Sequence, residues 1–117
     1  NDYEFQLVLE KTNLTISQLA SSVDALIVTK GSQGSSIYSK DEEIVIDAIP
    51  IKIPVDPTGC GDAYRAGLIY GILNKYDWIK TGKLASVMGA IKIKSQGGQN
   101  HTATLPEIES LLGSSLN

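Results

Sequence analysis

The sequence has 117 residues, a formal net charge of −3, 42% hydrophobic and 20% charged residues, and a single cysteine. That length suits one modest core, and the acidic balance, with no basic run, argues against a non-specific nucleic-acid binder, which needs a Lys/Arg-rich face. One cysteine closes no internal bridge, no apolar run approaches the roughly 18 residues of a membrane span, and the start NDYEFQLVLEK lacks the basic and apolar regions of a signal peptide, so a cytoplasmic protein without nucleic-acid or membrane partners is expected.

The chain opens on Asn1 and enters a helical pattern at once, as a piece of a longer chain would. Residues 2–11 put Phe5, Leu7, Val8 and Leu9 on a broad apolar face. Thr15 followed three positions later by Gln18 has capping-box spacing, so a second helix follows closely. ALIVTK, bounded by Asp24 and Gly31, is short, apolar and rich in branched residues, which suits a strand buried on both faces. SSIYS and EIVIDAI, joined by a polar turn, then read as a hairpin whose second strand alternates Ile44, Ile46 and Ala48 with period two.

Pro50, Pro54 and Pro57 interrupt regular structure up to Gly59. A helix with a small-residue stripe at Ala63, Gly67 and Gly71 then runs to Asn74 and should pack tightly. Asp77 can cap a further helix to about Lys94. GGQNH forms a loop, and TLPE at 104–107 is another capping box opening a terminal helix. The order of elements predicts an α/β sandwich or part of one.

The chemistry concentrates at VDPTGCGDAYRAG, Val55 to Gly67. A helix N-terminus carries N–H groups without intrahelical acceptors and about half a positive elementary charge, so an anion is stabilised there. Gly59, Cys60 and Gly61 would let a phosphate approach those groups, and Asp62 beside it could take a proton from an attacking hydroxyl. Two readings are open from these residues alone: an anion site with its base, or glycines that make a turn and an aspartate that caps a helix.

The wider context separates the two. The run Asp56, Pro57, Thr58, Gly59, Cys60, Gly61, Asp62, Ala63, Tyr64, Arg65, Ala66, Gly67 resembles the signature of the ribokinase-like (pfkB) sugar and nucleoside kinases, approximately D-T-x-G-A-G-D-x-F-x-A-G. NDYE resembles that family's N-x-x-E motif, VTKGSQG its V-T-x-G-x-x-G nucleotide loop, and the likeness continues through GAIKIKSQGGQNH over essentially the whole chain. The wording is more similar to the bacterial adenosine-kinase-like branch than to ribokinase.

The resemblance implies a three-layer αβα sandwich with a mixed sheet and a hairpin. It also implies transfer of the γ-phosphoryl group of ATP to a primary hydroxyl of an adenosine-like nucleoside or a sugar. Asp62 would be the catalytic base, and Gly59, Cys60 and Gly61 the anion hole. Thr29, Gly31, Gly34, Ser86 and Gly89 would border the nucleotide. Asn1 and Glu4 would belong to the Mg2+ and phosphate region, and Asp56, Lys94 and Gly97 to the place where many members hold a monovalent cation such as K+. Nothing here resembles the family's N-terminal half with its acceptor site and lid, so residues 1–117 are expected to be the C-terminal, nucleotide-binding portion and to be inactive alone.

Three residues depart from the signature. Cys60 stands for alanine, which raises a thiol-based activity as an alternative, since a thiol at a helix N-terminus can become reactive. Tyr64 stands for phenylalanine. Pro57 stands for the first threonine and puts a side-chain contact to a cation in doubt. A nucleotide-binding module without catalysis is the rival reading from another class, and Asp62 speaks against it.

Overall fold

The computed structural model describes residues 1–51, 59–93 and 104–116. The chain divides into two compact units, residues 1–48 and 49–117.

The first unit opens with helix α1 (Asp2–Thr12), held at its start by a reciprocal box in which Asn1 Oδ1 accepts from the Glu4 N–H at 2.8 Å and Glu4 Oε2 accepts from the Asn1 backbone nitrogen at 2.7 Å. Helix α2 (Ile16–Ser21) starts with the box expected at Thr15 and Gln18, at 3.1 and 2.9 Å. These bonds satisfy first-turn donors that have no partner inside the helix.

Strands β1 (Leu26–Thr29), β2 (Ser35–Ser39) and β3 (Glu42–Ile46) form an antiparallel meander in the order β1-β2-β3. β2, paired along both edges, is also the strand buried on both faces, with Ile37 fully enclosed; β1, expected to be the doubly buried one, has only Val28 buried. β3 keeps its period-two alternation, with Ile44 and Ile46 inward and Val45 exposed. The β2–β3 turn places Lys40 and Asp41 at φ 51° and 65°, the left-handed pair that a two-residue turn needs to match strand twist.

The buried serines of β2 are satisfied. Ser36 accepts from Lys30 Nζ at 2.8 Å and donates to Glu43 at 3.0 Å, while Ser39 donates to the Asp24 carbonyl at 3.0 Å. On α1 only Phe5 and Leu9, one helical turn apart, are half-buried, and the Phe5 ring stacks against Tyr38 with centroids 6.5 Å apart. Leu7 and Val8 are exposed, so the apolar face is narrower than the sequence suggested: a helix lying on a sheet buries only its i, i+4 positions.

The second unit is helical, with α3 (Cys60–Leu73), α4 (Trp78–Ile93) and α5 (Leu105–Leu112). Asp77 Oδ1 accepts from the Lys80 N–H at 2.7 Å at the start of α4, and Thr104 Oγ1 accepts from the Glu107 N–H at 3.3 Å at the start of α5. The small-residue stripe of α3 meets α4 as expected: a Cβ on Gly67 would lie 2.7 Å from the Ala85 Cα, and one on Gly71 2.5 Å from the Thr81 Oγ1. The facing side of α4 supplies the core with Leu84, Ala85, Val87, Ala90 and Ile91. Tyr76 and Trp78 sit at the turn into α4, where the Tyr76 hydroxyl donates to the Leu116 carbonyl and the Lys80 ammonium lies 4.1 Å from the Tyr76 ring centre. Among the described residues no helix is long and apolar enough to cross a membrane.

Candidate functional site

The mouth of α3 is shaped by residues that leave backbone accessible. Gly59, the N-cap, adopts φ 79° and ψ 0°, a left-handed conformation that side chains resist, and no side chain among the described residues caps the helix. A Cβ there would lie 3.0 Å from the Lys92 Cε, the far end of a flexible side chain that can give way, so the backbone conformation is what favours glycine. Lys92 belongs to the last turn of α4, where the helix dipole favours a cation, so α4 delivers a positive charge to the start of α3.

Cys60 is the first residue of α3 and half-buried; its thiol donates weakly to the Gly89 carbonyl at 3.6 Å. Gly89 lets α4 come close, a Cβ there falling 3.7 Å from the Cys60 carbonyl oxygen and 3.9 Å from the Tyr64 Cβ. Ser86, one turn earlier on α4, is half-buried. Gly61 follows Cys60, with both terminal nitrogens of Arg65 3.7 Å from the place its Cβ would take.

Asp62 is the third residue of α3 and its side chain is 82% exposed. Oδ1 accepts a short hydrogen bond from the Arg65 guanidinium, one turn on. The mouth of α3 thus combines N–H groups that have no acceptor inside the helix, two cationic side chains and one accessible carboxylate. Such an arrangement can seat an anion on backbone donors and place a proton acceptor beside it.

Residues 59–62 and Gly89, expected from sequence, come together in this unit. Lys92 and Arg65 join them. The Arg65 pairing follows from its i, i+3 spacing to Asp62, a readable signal, although the sequence by itself left the direction of Arg65 undecided. The approach of Lys92 to Gly59 spans 33 positions and leaves no local trace.

The remaining expected residues of the described chain lie in the first unit. Thr29 ends β1 and is half-buried. The 30–34 segment closes the β1–β2 connection with a Lys30 N–H to Gly34 carbonyl bond of 2.8 Å around a short 3-10 turn, Gly31–Gln33. Gly31 is exposed at φ 57°, with open space where a Cβ would be. Gly34 is buried at φ 86°, where a Cβ would lie 2.1 Å from the Ile46 carbonyl oxygen, so the fold itself requires glycine there. Asn1 and Glu4 form the cap of α1 described above. Asp56, Lys94 and Gly97 lie outside the described residues, as do Pro57 and His101. Among the described residues no three His, Cys, Asp or Glu side chains cluster as a metal site.

The sequence profile of the pfkB family of carbohydrate kinases matches residues 1–105. The chain belongs to this family. A nucleoside kinase of Methanocaldococcus jannaschii is 38% identical over 108 residues, which make up 92% of this chain and 36% of that protein. Its crystal structure, that of an archaeal member of the ribokinase family, superposes with a TM-score of 0.88 over 95% of this chain. A nucleoside kinase of Burkholderia thailandensis, solved with ADP-inosine, is 45% identical with a TM-score of 0.92, over 99% of this chain and 36% of that one. A candidate ribokinase II of E. coli, solved with ATP and Mg2+, is 30% identical with a TM-score of 0.75, over 84% and 32% of the two chains. The α/β fold is therefore that of the ribokinase family, and this pfkB-family chain spans about a third of the length of these relatives.

An apolar groove of about 380 Å³ in the second unit is lined by Tyr70, Leu84, Met88, Leu105 and Ile108 among others. Ala66 and Gly67 line it as well, so the groove runs along α3 from about one turn beyond Asp62.

Proposed function

We propose that residues 1–117 are the nucleotide-binding, C-terminal portion of a kinase that moves the γ-phosphoryl group of ATP to a primary hydroxyl of a nucleoside, adenosine-like being the first choice. The observation that carries this is the start of α3, where Gly59 lies in the left-handed region, no side chain among the described residues caps the helix, and Asp62 is exposed in the first turn. The nucleoside kinases among its relatives, one of them solved with ADP-inosine, support a nucleoside over a simple sugar. The family's carbohydrate kinases keep the sugar as runner-up.

In this reading the acceptor oxygen attacks the γ-phosphorus as the bond to the β-phosphate oxygen breaks. The hydroxyl proton passes to the Asp62 carboxylate, and ADP leaves. The transition state is loose and the hydroxyl acidifies as the new bond forms, so an ordinary carboxylate suffices. The backbone at Gly59, Cys60 and Gly61 takes up charge on the phosphate oxygens, with Lys92 and Arg65 adding to the positive field. Thr29, Gly31, Gly34, Ser86 and Gly89 are assigned to the nucleotide. Mg2+, when bound, would supply charge neutralisation for the phosphates. Asn1 and Glu4 are assigned to its surroundings, and Asp56, Lys94 and Gly97 to a K+ region.

The deciding experiment follows ADP release by the full-length protein across a panel of nucleosides and sugars, with Asp62→Asn alongside. Turnover should fall about 100- to 10,000-fold in the variant while nucleotide binding stays within a few-fold. Residues 1–117 alone should release no ADP in response to any acceptor. ADP release by Asp62→Asn at the parent rate would leave only a binding role for this corner.

A further inference from the structure

We propose that Arg65 is a positioning residue for Asp62 in phosphoryl transfer, an inference that rests on the reading of Asp62 as proton acceptor. The two side chains lie one turn apart on the exposed side of α3, and the guanidinium donates to Oδ1 of the carboxylate. The same guanidinium sits over Gly61, both terminal nitrogens 3.7 Å from the absent Cβ, and so occupies the start of the helix.

Exposure shows what this pair is for. The side chains are 67% and 82% exposed, and ion pairs so well solvated contribute little to folding. The pair is therefore dispensable to the fold and free to re-form around a ligand. Among the described residues Asp62 is the only partner of Arg65, and Oδ1 the only engaged oxygen of Asp62. A guanidinium has five N–H donors, so most of them stay available at the helix mouth, and Oδ2 stays available to an incoming hydroxyl.

A carboxylate placed beside a nucleotide phosphate would be repelled by it and would turn toward solvent. A planar cation that grips one carboxylate oxygen and offers its remaining donors to the phosphate removes that repulsion and fixes the carboxylate's direction. The sequence Gly61-Asp62-Ala63-Tyr64-Arg65 provides this on a single turn: the guanidinium that the carboxylate at 62 holds lies within ordinary contact distance of position 61.

Steady-state kinetics of the full-length protein carrying Arg65→Gln, Arg65→Lys, Asp62→Asn and the Asp62→Asn/Arg65→Gln pair would test this, with thermal melts of each. Arg65→Gln should lower kcat by about 10- to 100-fold with the acceptor KM unchanged within about two-fold and the melting temperature unmoved. Arg65→Lys should recover part of the loss. The double variant should be no slower than Asp62→Asn alone, because a positioning residue has no effect once the group it positions is gone. Parent-like kcat in Arg65→Gln beside a dead Asp62→Asn would overturn the role of Arg65 and leave the base standing, as would independent, multiplicative losses in the pair. Sustained turnover in Asp62→Asn would remove the base reading itself.

Discussion

Gly67→Ala tests the packing that holds the start of α3 against α4. The new methyl would lie 2.7 Å from the Ala85 Cα, 3.0 Å from its nitrogen and 3.2 Å from the Leu84 carbonyl oxygen, all backbone atoms that no rotamer change can move aside. Restoring ordinary contact at 3.4 Å requires the helices to part by about 0.7 Å, the difference between 3.4 and 2.7 Å. Overpacking of this kind costs about 1–3 kcal/mol. Alanine in place of glycine inside a helix returns about 1 kcal/mol. With three backbone contacts to relieve, the net expectation is a loss of up to about 2 kcal/mol, read as a lower urea midpoint at unchanged slope on the intact protein. The displacement also draws Gly89 and Lys92 away from Cys60 and Gly59, so nucleotide affinity should drop along with stability. A Gly67→Ala protein with a raised urea midpoint would show helix propensity acting unopposed, and the tight α3–α4 contact would be refuted.

Cys60→Ala should keep parent-like turnover, because the thiol's contact to the Gly89 carbonyl is weak and alanine fills the same place; loss of activity in that variant would favour thiol chemistry. Iodoacetamide labelling of Cys60 should slow when nucleotide is bound. Burial, and then the Glu43 carboxylate beside it, hold the Tyr38 hydroxyl above its ordinary pKa of 10.0. The folded state therefore keeps this proton more tightly than the unfolded chain, so the stability is fully present below that value and declines as pH rises above it. Tyr38→Phe should flatten that alkaline decline in urea midpoints measured at successive pH values, and an identical slope in both proteins would contradict the assignment.

Much of this architecture was legible before any coordinates. The Thr15/Gln18 capping pair, the polar hairpin turn, the Asp77 and Thr104 caps, and the Ala63, Gly67, Gly71 stripe were all readable, whereas the capping box of Asn1 and Glu4 emerged only from the structure. Each depends on hydrogen bonds or side-chain spacing within a few residues. The signature around Asp62 was equally legible, since its small residues and its aspartate stand in a short, fixed order. Reading failed where burial decides. The broad apolar face of α1 shrank to Phe5 and Leu9, and the doubly buried strand proved to be β2, because burial of a face is set by what packs on the sheet, which no short run of residues contains.

By itself, then, the sequence determined the family, the local elements and the residues from which a phosphate site can be built, since those follow from backbone geometry and nearest-neighbour chemistry. The tertiary structure decided which distant groups share the corner. It brought Lys92 to Gly59 and Gly89 to Cys60, and it put the Ile46 carbonyl where any side chain at position 34 would have to be. Those choices come from close packing of α3 on α4 and of β3 on the β1–β2 connection, and packing is a property of surfaces in contact that no short window of residues contains.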